Sequence, residues 1–378
     1  MIEVFFWTCF VAVVYVYAGY PLLLWAMAGL FPKPVKKAQV SPSVSLLVAA
    51  YNEADVIEAK IRNGLALDYP PEQLEIVVAS DGSSDATAEL AQRLADGRRV
   101  RVLAYPVNRG KLAVLNDSVP QLRGEIVAFS DASSMLAPDA IRTLVESFAD
   151  TAVGGVSGIY RVLKKDEAQL GASEDLYWKY ETFLKVKEAA LGSILGGHGS
   201  LYAVRRNAYP YPPLGTINDD YVIPIRIVQK GYRMAYEPRS IAYEEAHEMG
   251  GFSRRVRIMT GNVKQLSELK ALAWPPRWLE LWFFLSHKVG RLSVPVFLIG
   301  MLSANLLLLR EPLYVWLAGL QALFYGLALA GAVWNLRPRI LRLPFYFSMI
   351  NVAACFGVFF ALTGPQRLEW KREGNTGR

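Results

Sequence analysis

Four short runs of polar residues stand directly after apolar runs, and their side chains are of the kinds that bind nucleotides and phosphates. They occupy residues 49–53, 80–85, 108–111 and 130–134. They offer an aromatic ring for stacking, carboxylates for a base or a metal ion, and a lysine for a phosphate. Each run alone has a structural interpretation as a helix cap or a turn, because Asn, Ser and Asp-Gly favour such positions. Together they indicate one binding site, provided that the fold brings them to a common edge.

The segments around these runs predict an alternation of strands and helices. Runs rich in β-branched residues predict buried strands over residues 44–50, 75–79, 100–104 and 126–130. Apolar residues at helical spacing predict helices over residues 56–67, 86–94 and 112–118. This alternation is typical of an α/β fold with a mainly parallel sheet, which binds ligands beyond the carboxyl ends of its strands. The sequence contains neither G-x-G-x-x-G nor G-x-x-x-x-G-K-[ST], which argues against a dinucleotide oxidoreductase and a P-loop motor.

The composition indicates a membrane protein. Hydrophobic residues make up 53% of the 378-residue chain and the mean hydropathy is +0.21, which excludes disordered and collagen-like chains and is high for a soluble enzyme. The formal net charge is +7, and most of that excess lies after residue 309 among long apolar runs. This placement favours membrane flanks over nucleic-acid binding. The two cysteines lie in apolar stretches, which excludes a disulfide framework and a zinc ribbon.

Several segments are long and apolar enough to cross a membrane. They cover residues 4–30, 292–309, 312–334 and 343–362. Lysines follow the first segment, so the positive-inside rule places the N-terminus outside and the middle of the chain in the cytoplasm. The intervening stretch 277–291 is predicted to lie in the membrane interface, because it carries Glu280, His287, Lys288 and Arg291. Counting crossings places the basic tail outside, against the same rule, so either the last segment is re-entrant or the rule fails there.

Five motifs in a fixed order resemble those of family-2 glycosyltransferases of the GT-A fold. They read V-S-L-L-V-A-A-Y-N-E, V-V-A-S-D-G-S-S-D-A-T, N-R-G-K-L-A-V-L-N, F-S-D-A-S-S and N-D-D-Y-V-I-P-I-R-I-V-Q-K-G-Y-R. Together with the terminal L-E-W-K-R, they resemble the membrane-integrated branch that includes cellulose, hyaluronan, chitin-oligosaccharide and poly-N-acetylglucosamine synthases. The likeness extends over residues 40–290, and the ordered set is specific although each motif is weak alone.

The resemblance implies a nucleotide-sugar donor, most often a UDP-sugar, and a divalent cation. The positions that match donor-binding residues of the family are Ala50, Tyr51, Glu53, Asp81, Lys111, Asp131 and Arg257. The cation, Mg²⁺ or Mn²⁺, would be held by Asp131 and Ser133. It suits this chemistry because the leaving diphosphate develops negative charge.

The resemblance also implies a catalytic base and an acceptor side. Asp220 matches the final acid of the family's T-E-D motif, which acts as the base, and an adjacent carboxylate can raise its pKa toward the working range. The alternative is that Asp220 caps a helix running from Tyr221 to Lys230. The acceptor side would comprise Asp219, His198 and Arg254, although a lone histidine in a glycine-rich loop is also an ordinary loop residue.

Two departures from the family pattern bear on the activity. Ser133 stands where the D-x-D motif has its second acid, so the metal has one anionic ligand fewer. In the counterpart of Q-x-x-R-W, Arg254 and Ile258 replace Gln and Trp, while Arg257 is kept for the diphosphate. The missing Trp favours transfer of a single sugar, because that Trp lies beside the acceptor in processive members. The same stretch, 253–269, also has the pattern of a cationic amphipathic helix on anionic lipid.

The leading hypothesis is an inverting glycosyltransferase of the plasma membrane that extends a polysaccharide from a cytosolic nucleotide sugar. The alternatives are transfer of one sugar to a polyprenyl-phosphate or other lipid-linked acceptor, and a catalytically silent nucleotide-sugar sensor. The predicted partners are the donor, a glycan or lipid-linked acceptor and the bilayer, without nucleic acid, and an oligomer is left open.

The predicted parts of the chain are an N-terminal transmembrane helix, a GT-A domain, interfacial helices, about three transmembrane helices and a basic tail. They are expected at residues 1–35, 40–250, 251–291, 292–365 and 366–378, in that order.

Overall fold

The computed structural model is built on one eight-stranded sheet. It describes residues 1–163, 169–214, 216–245, 251–268, 272, 277–334 and 339–363, so the predicted tail at 366–378 lies outside the described residues. The strands are β1 (Val44–Ala50), β2 (Leu74–Asp81), β3 (Val100–Tyr105), β4 (Ile126–Phe129), β5 (Met135–Leu136), β6 (Val153–Leu163), β7 (Tyr202–Arg205) and β8 (Arg233–Glu245). Their order in the sheet is β3-β2-β1-β4-β7-β6-β8-β5.

The first four strands confirm the parallel sheet that the sequence predicts. All pairs among β1, β2, β3 and β4 run parallel, and each strand begins and ends within a few residues of its predicted bounds. β7 pairs antiparallel with β4 and β6, β8 pairs parallel with β6, and β5 pairs antiparallel with β8. The sequence analysis predicts none of these last four strands. β6 and β8 lack a clear pattern because glycines interrupt the one and charged residues the other.

Helices cover both faces of the sheet and both ends of the chain. In chain order they are α1 (Ile2–Leu30), α2 (Ile57–Leu65), α3 (Thr87–Arg93), α4 (Lys111–Ser118), α5 (Ala140–Val145), α6 (Gln169–Leu191), α7 (Asp219–Gln229), α8 (Gly251–Lys264), α9 (Trp278–Leu307), α10 (Pro312–Val333) and α11 (Arg339–Thr363). The predicted helices at 56–67, 86–94 and 112–118 are therefore confirmed as α2, α3 and α4.

Two apolar layers cover the sheet and bury β1, β2 and β4 on both faces, while β3 at the edge is mostly half-buried. Successive side chains of a strand point to opposite faces, so Leu47 and Ala49 of β1 pack under α4, α6 and α7. Leu46 and Val48 pack under α2 and α5 on the other face. Burial on both faces is typical of parallel sheets. It holds the carboxyl ends of β1, β2, β3 and β4, where the polar runs begin, in fixed relative positions.

Four helical segments are long and apolar enough to cross a membrane, namely α1, α9, α10 and residues 343–363 of α11. They coincide with the four predicted segments except at the start of α9. The prediction sets the stretch 277–291 apart from the following span, whereas the structure joins residues 278–307 into one continuous helix. The polar residues of this stretch belong to that helix because α6 supplies buried partners for them.

The buried partners are two glutamates of α6. The imidazole of His287 lies between them, with Nδ1 2.7 Å from Oε1 of Glu188 and Nε2 3.2 Å from Oε2 of Glu181. Arg291 donates to Glu181 at 2.8 Å, and the hydroxyl of Tyr20 in α1 donates to Glu188 at 2.7 Å. Burial alone would raise the pKa of Glu181, but His287 and Arg291 hold it well below its usual range. The part of the chain that forms the sheet is thus joined to α1 and α9 by a buried ionic cluster.

Substitution of Glu181 is expected to destabilise the protein severely. Glu181→Ala removes the buried carboxylate to which Arg291 donates, and breaking a buried ion pair in this way costs about 3–5 kcal/mol. Equilibrium unfolding in detergent measures the change in the free energy of unfolding. The control Glu72→Ala removes an exposed glutamate and should change stability by less than about 0.5 kcal/mol. Equal stability of the two variants would contradict a supporting role for the cluster.

The predicted amphipathic helix at 253–269 is present as α8 and the short 3-10 turn Gln265–Glu268 that follows it. α8 packs against α11: the guanidinium of Arg255 donates to the hydroxyl of Tyr346 at 2.8 Å, and the rings of Phe252 and Phe356 meet at 6.0 Å. A Cβ on Gly357 would lie 2.5 Å from that of Met259, so the two helices are in close contact there. The apolar face of α8 therefore packs against α11, the last of the apolar helices.

Candidate functional site

The loop after β1 is tied to the loop after β2. Ala50 ends β1 and is completely buried. Asn52 adopts a left-handed φ of 55°, and its side-chain oxygen accepts a hydrogen bond from the N–H of Ser84 at 2.8 Å. The side chains of Tyr51 and Glu53 flank it and are half-buried. The first two polar runs thus form one continuous rim at the edge of the sheet, as the sequence predicts.

Asp81 positions the third polar run. Its side chain is completely buried at the end of β2. One carboxylate oxygen accepts the N–H of Arg109 at 2.9 Å and the other accepts the N–H of Gly110 at 2.8 Å. These two bonds hold the loop that leads into α4, whose first residue is Lys111. The structure therefore gives Asp81 a role in placing Lys111, and its predicted contact with the donor stays a prediction.

Lys111 lies among three carboxylates. Its ammonium is 2.8 Å from Oδ1 of Asp131 and 3.3 Å from Oδ1 of Asp219. The hydroxyl of Tyr202 donates to the other oxygen of Asp219 at 3.1 Å. Burial alone would lower the pKa of Lys111, but the charges of Asp131, Asp219 and Asp220 raise it above its usual value. The lysine is therefore a permanent cation that joins the fourth polar run to the start of α7.

Asp220 lies in the first turn of α7 as a half-buried acid with an elevated pKa. The helix begins at Asp219 and its N-cap residue is Asn218, so the interpretation of Asp220 as the cap is wrong. One carboxylate oxygen of Asp220 accepts the N–H of Gly199 at 3.2 Å. Burial and the adjacent charge of Asp219 raise the pKa of Asp220 to about 6, while Lys111 acts in the opposite direction. Such a carboxylate is ionised near neutral pH and is a stronger base than an exposed one.

Gly199 leaves room at the point where these side chains meet. A Cβ at residue 199 would lie 3.2 Å from Oδ2 of Asp131, 3.6 Å from Oδ2 of Asp220 and 3.8 Å from Nζ of Lys111. A side chain there would fill the space next to all three charged groups. The absence of one keeps that space open between the three charged groups.

Gly199→Ala is expected to lower kcat by about 100-fold, because a displacement of reacting atoms by about 1 Å has an effect of that size. The added methyl would crowd Asp131 and Asp220, so the free energy of unfolding should change much less than the rate. Steady-state kinetics and thermal unfolding measure the two quantities. Gly29→Ala, which adds a methyl in open space within α1, is the matched control. A rate for Gly199→Ala within threefold of this control would contradict the assignment of the space.

His198 lies behind the acid cluster. Its ring is buried, with Nε2 3.3 Å from the ammonium of Lys185 and 3.1 Å from the hydroxyl of Tyr236, and its edge meets Trp178 at 5.4 Å. Burial and the charge of Lys185 hold the pKa of His198 well below its usual value, so the ring is neutral. The structure places the ring against α6 and β8 beneath the glycine-rich loop. Its place on the acceptor side stays a prediction.

More than half of the chain matches one family model. The model is described as Glycosyltransferase like family 2, and the match covers residues 42–262, from β1 through α8. This chain belongs to glycosyltransferase family 2. The matched region contains every charged residue of the site described above, so the family assignment and the site geometry concern the same part of the molecule.

Curated relatives of this family-2 glycosyltransferase are named as polysaccharide synthases. The chain is 30% identical over 236 residues to "Poly-beta-1,6-N-acetyl-D-glucosamine synthase" of Staphylococcus aureus (strain MSSA476), which covers 61% of this chain and 57% of the relative. It is 28% identical over 225 residues to the protein of the same name from Staphylococcus epidermidis, covering 58% of this chain and 54% of the relative. The chain thus spans somewhat more than half the length of these relatives.

A solved structure has the same fold. The structure described as "Mannosyltransferase PcManGT from Pyrobaculum calidifontis in complex with GDP-Man and Mn2+" superimposes with a TM-score of 0.73 at 24% identity, and the match covers 96% of this chain and 99% of that chain. This likeness confirms the GT-A fold with apolar helices at both ends.

The family-2 site offers hard oxygen ligands of the kind that Mg²⁺ and Mn²⁺ prefer. The carboxylate of Asp131 is 38% exposed, the hydroxyl of Ser133 follows two residues later, and Gly199 leaves room beside Asp131. Among the described residues, no group of three or more His, Cys, Asp or Glu could hold a metal by itself. The residues present therefore fit a divalent cation whose shell is completed by phosphate oxygens of the donor.

The sequence analysis misses a buried lysine below the loop that follows β4. Lys60 of α2 is completely buried, and its ammonium donates to the hydroxyl of Ser130 at 2.7 Å and to the carbonyl of Ser134. Burial lowers the pKa of Lys60 to about 7, while carboxylates on two neighbouring elements act in the opposite direction. A signal was present, because Lys60 lies on the same helical stripe as the buried Ile57 and Ile61. A lysine on an apolar stripe predicts a buried counter-charge.

Lys185 is a second missed cation. It is buried on α6, donates to the carbonyl of Gly197 at 3.1 Å and lies near enough to Asp220 for their charges to interact. Burial lowers the pKa of Lys185 to about 8, and Glu181 acts against this shift. The available signal was the spacing of Glu181, Lys185 and Glu188 on one face of a helix.

The two arginines of the altered Q-x-x-R-W motif lie on α8. The side chain of Arg257 is exposed, and that of Arg254 lies outside the described residues. α8 is docked beside the catalytic acids, because the amide of Asn218 donates to the carbonyl of Ile258 at 3.2 Å and Gln265 donates to the carbonyl of Asn218 at 3.1 Å. The structure therefore brings the helix that carries Arg257 to the start of α7. Contact of either arginine with the donor or the acceptor stays a prediction.

Proposed function

We propose that this family-2 glycosyltransferase transfers a sugar from a nucleotide-sugar donor to a hydroxyl group of a growing polysaccharide, with inversion at the anomeric carbon. The observation that carries the proposal is the placement of Lys111 between Asp131 and Asp219, next to Asp220, around the space at Gly199. A cation for the diphosphate and a half-buried base thus lie beside the same space at Gly199. The polysaccharide synthases among its relatives support the choice of acceptor.

Asp220 serves as the general base. The acceptor hydroxyl oxygen forms a bond to the anomeric carbon while the bond from that carbon to the diphosphate oxygen breaks. The proton of the hydroxyl passes to the carboxylate of Asp220, and the nucleoside diphosphate leaves with the bonding electron pair. The N–H of Gly199 holds the carboxylate in place for this step. The elevated pKa makes the proton transfer more favourable than it would be to an exposed aspartate.

Lys111 and Asp131 stabilise the nucleoside diphosphate as it leaves. When the donor binds, the ammonium of Lys111 exchanges part of its contact with Asp131 for a phosphate oxygen, a bond that is stronger than one between neutral groups. Asp131 and Ser133 would hold a divalent cation, which would supply further positive charge where negative charge develops on the diphosphate. The rigid loop held by Asp81 fixes the backbone from which Lys111 reaches the phosphates.

Release of nucleoside diphosphate tests the proposed function. The purified full chain in detergent or nanodiscs is incubated with Mg²⁺ or Mn²⁺ and a panel of UDP- and GDP-sugars, and both diphosphate and glycan products are measured. At least one donor should give release above that of Asp220→Asn. If no donor does so while a donor binds in calorimetry, the sensor alternative replaces the enzyme.

The length of the product separates the two acceptor classes. Ile258 occupies the position of the family's acceptor-side Trp and is exposed on α8, which favours transfer of a single sugar to a polyprenyl-phosphate or other lipid-linked acceptor. A polymer in the panel assay supports the polysaccharide product. A single added sugar that partitions with lipid supports the alternative.

The rate should fall with pH below about 6. Asp220 must be ionised to accept a proton, and burial together with Asp219 places its pKa at about 6. We therefore expect log kcat/KM to be flat near pH 7 to 8 and to decrease by one unit per pH unit well below 6. Initial rates at saturating cation measure the profile, with circular dichroism as a control for unfolding. An acidic limb near pH 4 would mean that the base is not Asp220 in this environment.

We also propose that the protein is a multi-pass protein of the plasma membrane, with the GT-A domain, residues 40–250, on the cytoplasmic side. The supporting observations are the four apolar helical segments and the lysines that follow α1. Reporter fusions after residues 35 and 310 test the orientation. Activity of a periplasmic reporter after residue 35 would overturn it.

A further inference from the structure

A glutamate from the far side of the sheet reaches the serine that replaces the second D-x-D acid. The hydroxyl of Ser133 donates to Oε1 of Glu244 at 3.1 Å. Both side chains are half-buried. Ser133 belongs to the loop after β4, whereas Glu244 lies near the end of β8. Two elements that are distant in the sequence therefore meet at the position where the family carries a carboxylate.

The pairing of β5 with β8 determines where Glu244 lies relative to Ser133. β5 follows the loop directly and pairs antiparallel with β8, with Met135 opposite Tyr243 and Leu136 opposite Ala242. When this antiparallel register is continued by one residue, Glu244 lies opposite Ser134, the last residue of the loop. The position of Glu244 is thus set by the backbone of the sheet rather than by a flexible side chain alone.

Lys60 holds the loop that carries Asp131 and Ser133. Its ammonium binds the loop on both sides of Asp131 and Ser133, through Ser130 at 2.7 Å and the carbonyl of Ser134. Ser133 binds Glu244, and Asp131 stands two residues before Ser133. Carboxylates from two separate elements therefore lie at the loop that Lys60 holds in place.

We infer that Glu244 supplies the second carboxylate for the divalent cation, in place of the acid that Ser133 lacks. The inference rests on the proposed function, since the cation is bound together with the nucleoside diphosphate. Asp131 and Glu244 restore the pair of anionic oxygen ligands that a D-x-D motif has, and the Ser133 hydroxyl orients Glu244 or adds a neutral oxygen. Hard oxygen ligands of this kind suit Mg²⁺ and Mn²⁺.

Binding of Mn²⁺ tests the inference without a measurement of activity. The full chain is titrated with Mn²⁺ in the presence of UDP, and in a second series GDP, and free Mn²⁺ is followed by electron paramagnetic resonance. Glu244→Gln keeps the acceptor oxygen for Ser133 but removes the charge, and we expect the affinity for Mn²⁺ to fall about tenfold or more, since even partners of metal ligands contribute that much. Glu72→Gln, an exposed glutamate, is the matched control.

A charge exchange makes the test specific. Ser133→Asp in the background of Glu244→Gln returns a carboxylate to the D-x-D position and should bring the Mn²⁺ affinity back to within about threefold of the original. Ser133→Asp alone should bind Mn²⁺ at least as tightly as the original chain, which keeps the inference testable if Glu244→Gln folds poorly.

The outcomes separate the inference from the proposed function. If Glu244→Gln binds Mn²⁺ within threefold of the original while Asp131→Asn loses it, Glu244 is only a hydrogen-bond partner and the inference is overturned, with the cation and the transferase intact. If the original chain binds no Mn²⁺ with either nucleotide, the inference falls together with metal dependence, and diphosphate release by the original chain then shows whether sugar transfer survives.

Discussion

Asp220→Asn is expected to fold, to bind the donor with unchanged affinity and to lose sugar transfer by about 10²–10⁴-fold, the range that general base catalysis contributes. The amide oxygen of Asn can still accept the N–H of Gly199 at 3.2 Å, so the local structure should persist. An amide cannot take the proton of the acceptor hydroxyl, which is the reason for the loss. Diphosphate release measures the rate, and calorimetry measures donor affinity.

Two comparisons make this result specific. Asp219→Asn removes the neighbouring acid, which contacts Lys111 and Tyr202, and should alter donor binding and the pKa of Asp220 more than the maximal rate. Asp139→Asn lies at the start of α5, away from the site, and should have no effect. Near-normal transfer by Asp220→Asn together with loss in Asp219→Asn would move the base to residue 219.

Lys111→Met is expected to weaken donor binding by about 10- to 150-fold. The substitution keeps the length of the side chain and removes the cation, and hydrogen bonds to charged groups contribute about 1.5–3 kcal/mol, which corresponds to that range. Calorimetric titration with the nucleoside diphosphate measures it. Lys36→Met, which removes an exposed lysine after α1, is the control.

The same variant should change the pH profile in a defined direction. Lys111 opposes the effects of burial and Asp219 on Asp220, so its removal should raise the pKa of Asp220 further and move the acidic limb of kcat/KM to higher pH. A lysine that only supported the fold would lower activity at all pH values without moving the limb. Unchanged diphosphate affinity together with an unmoved limb would contradict the role of Lys111 in the site.

The ionic cluster of α6 connects the apolar helix α9 with the residues around Asp220. Glu181 binds His287 and Arg291 of α9, and Lys185, one turn along the same face, contacts the glycine-rich loop that holds Asp220. A movement of α9 would therefore displace α6 and, through it, the loop that holds Asp220. The stability of Glu181→Ala and the pH profile of the enzyme test different parts of this connection.

The sequence by itself determines the parallel half of the sheet and the segments that are long and apolar enough to cross a membrane. The strands β1, β2 and β4 are buried along their whole length, so their composition is mostly apolar and easily recognised, whereas β3 is mostly half-buried. The polar runs follow these strands directly, and parallel topology brings their ends to one edge. The ordered motifs identify Asp220, Lys111 and Asp131 for the same local reason, since each residue stands beside an element that can be recognised alone.

Only the tertiary structure decides which charges are paired. The pairing of β5 with β8 brings Glu244 to Ser133. The carboxylate of Asp81 accepts hydrogen bonds from the backbone of the loop before Lys111. Residues 278–291 join α9 because glutamates of α6, about a hundred residues earlier, neutralise their charge. A charge can be buried only where a partner far away in the chain compensates for its lost hydration. No local pattern contains that partner, because it is supplied by the way in which the elements pack.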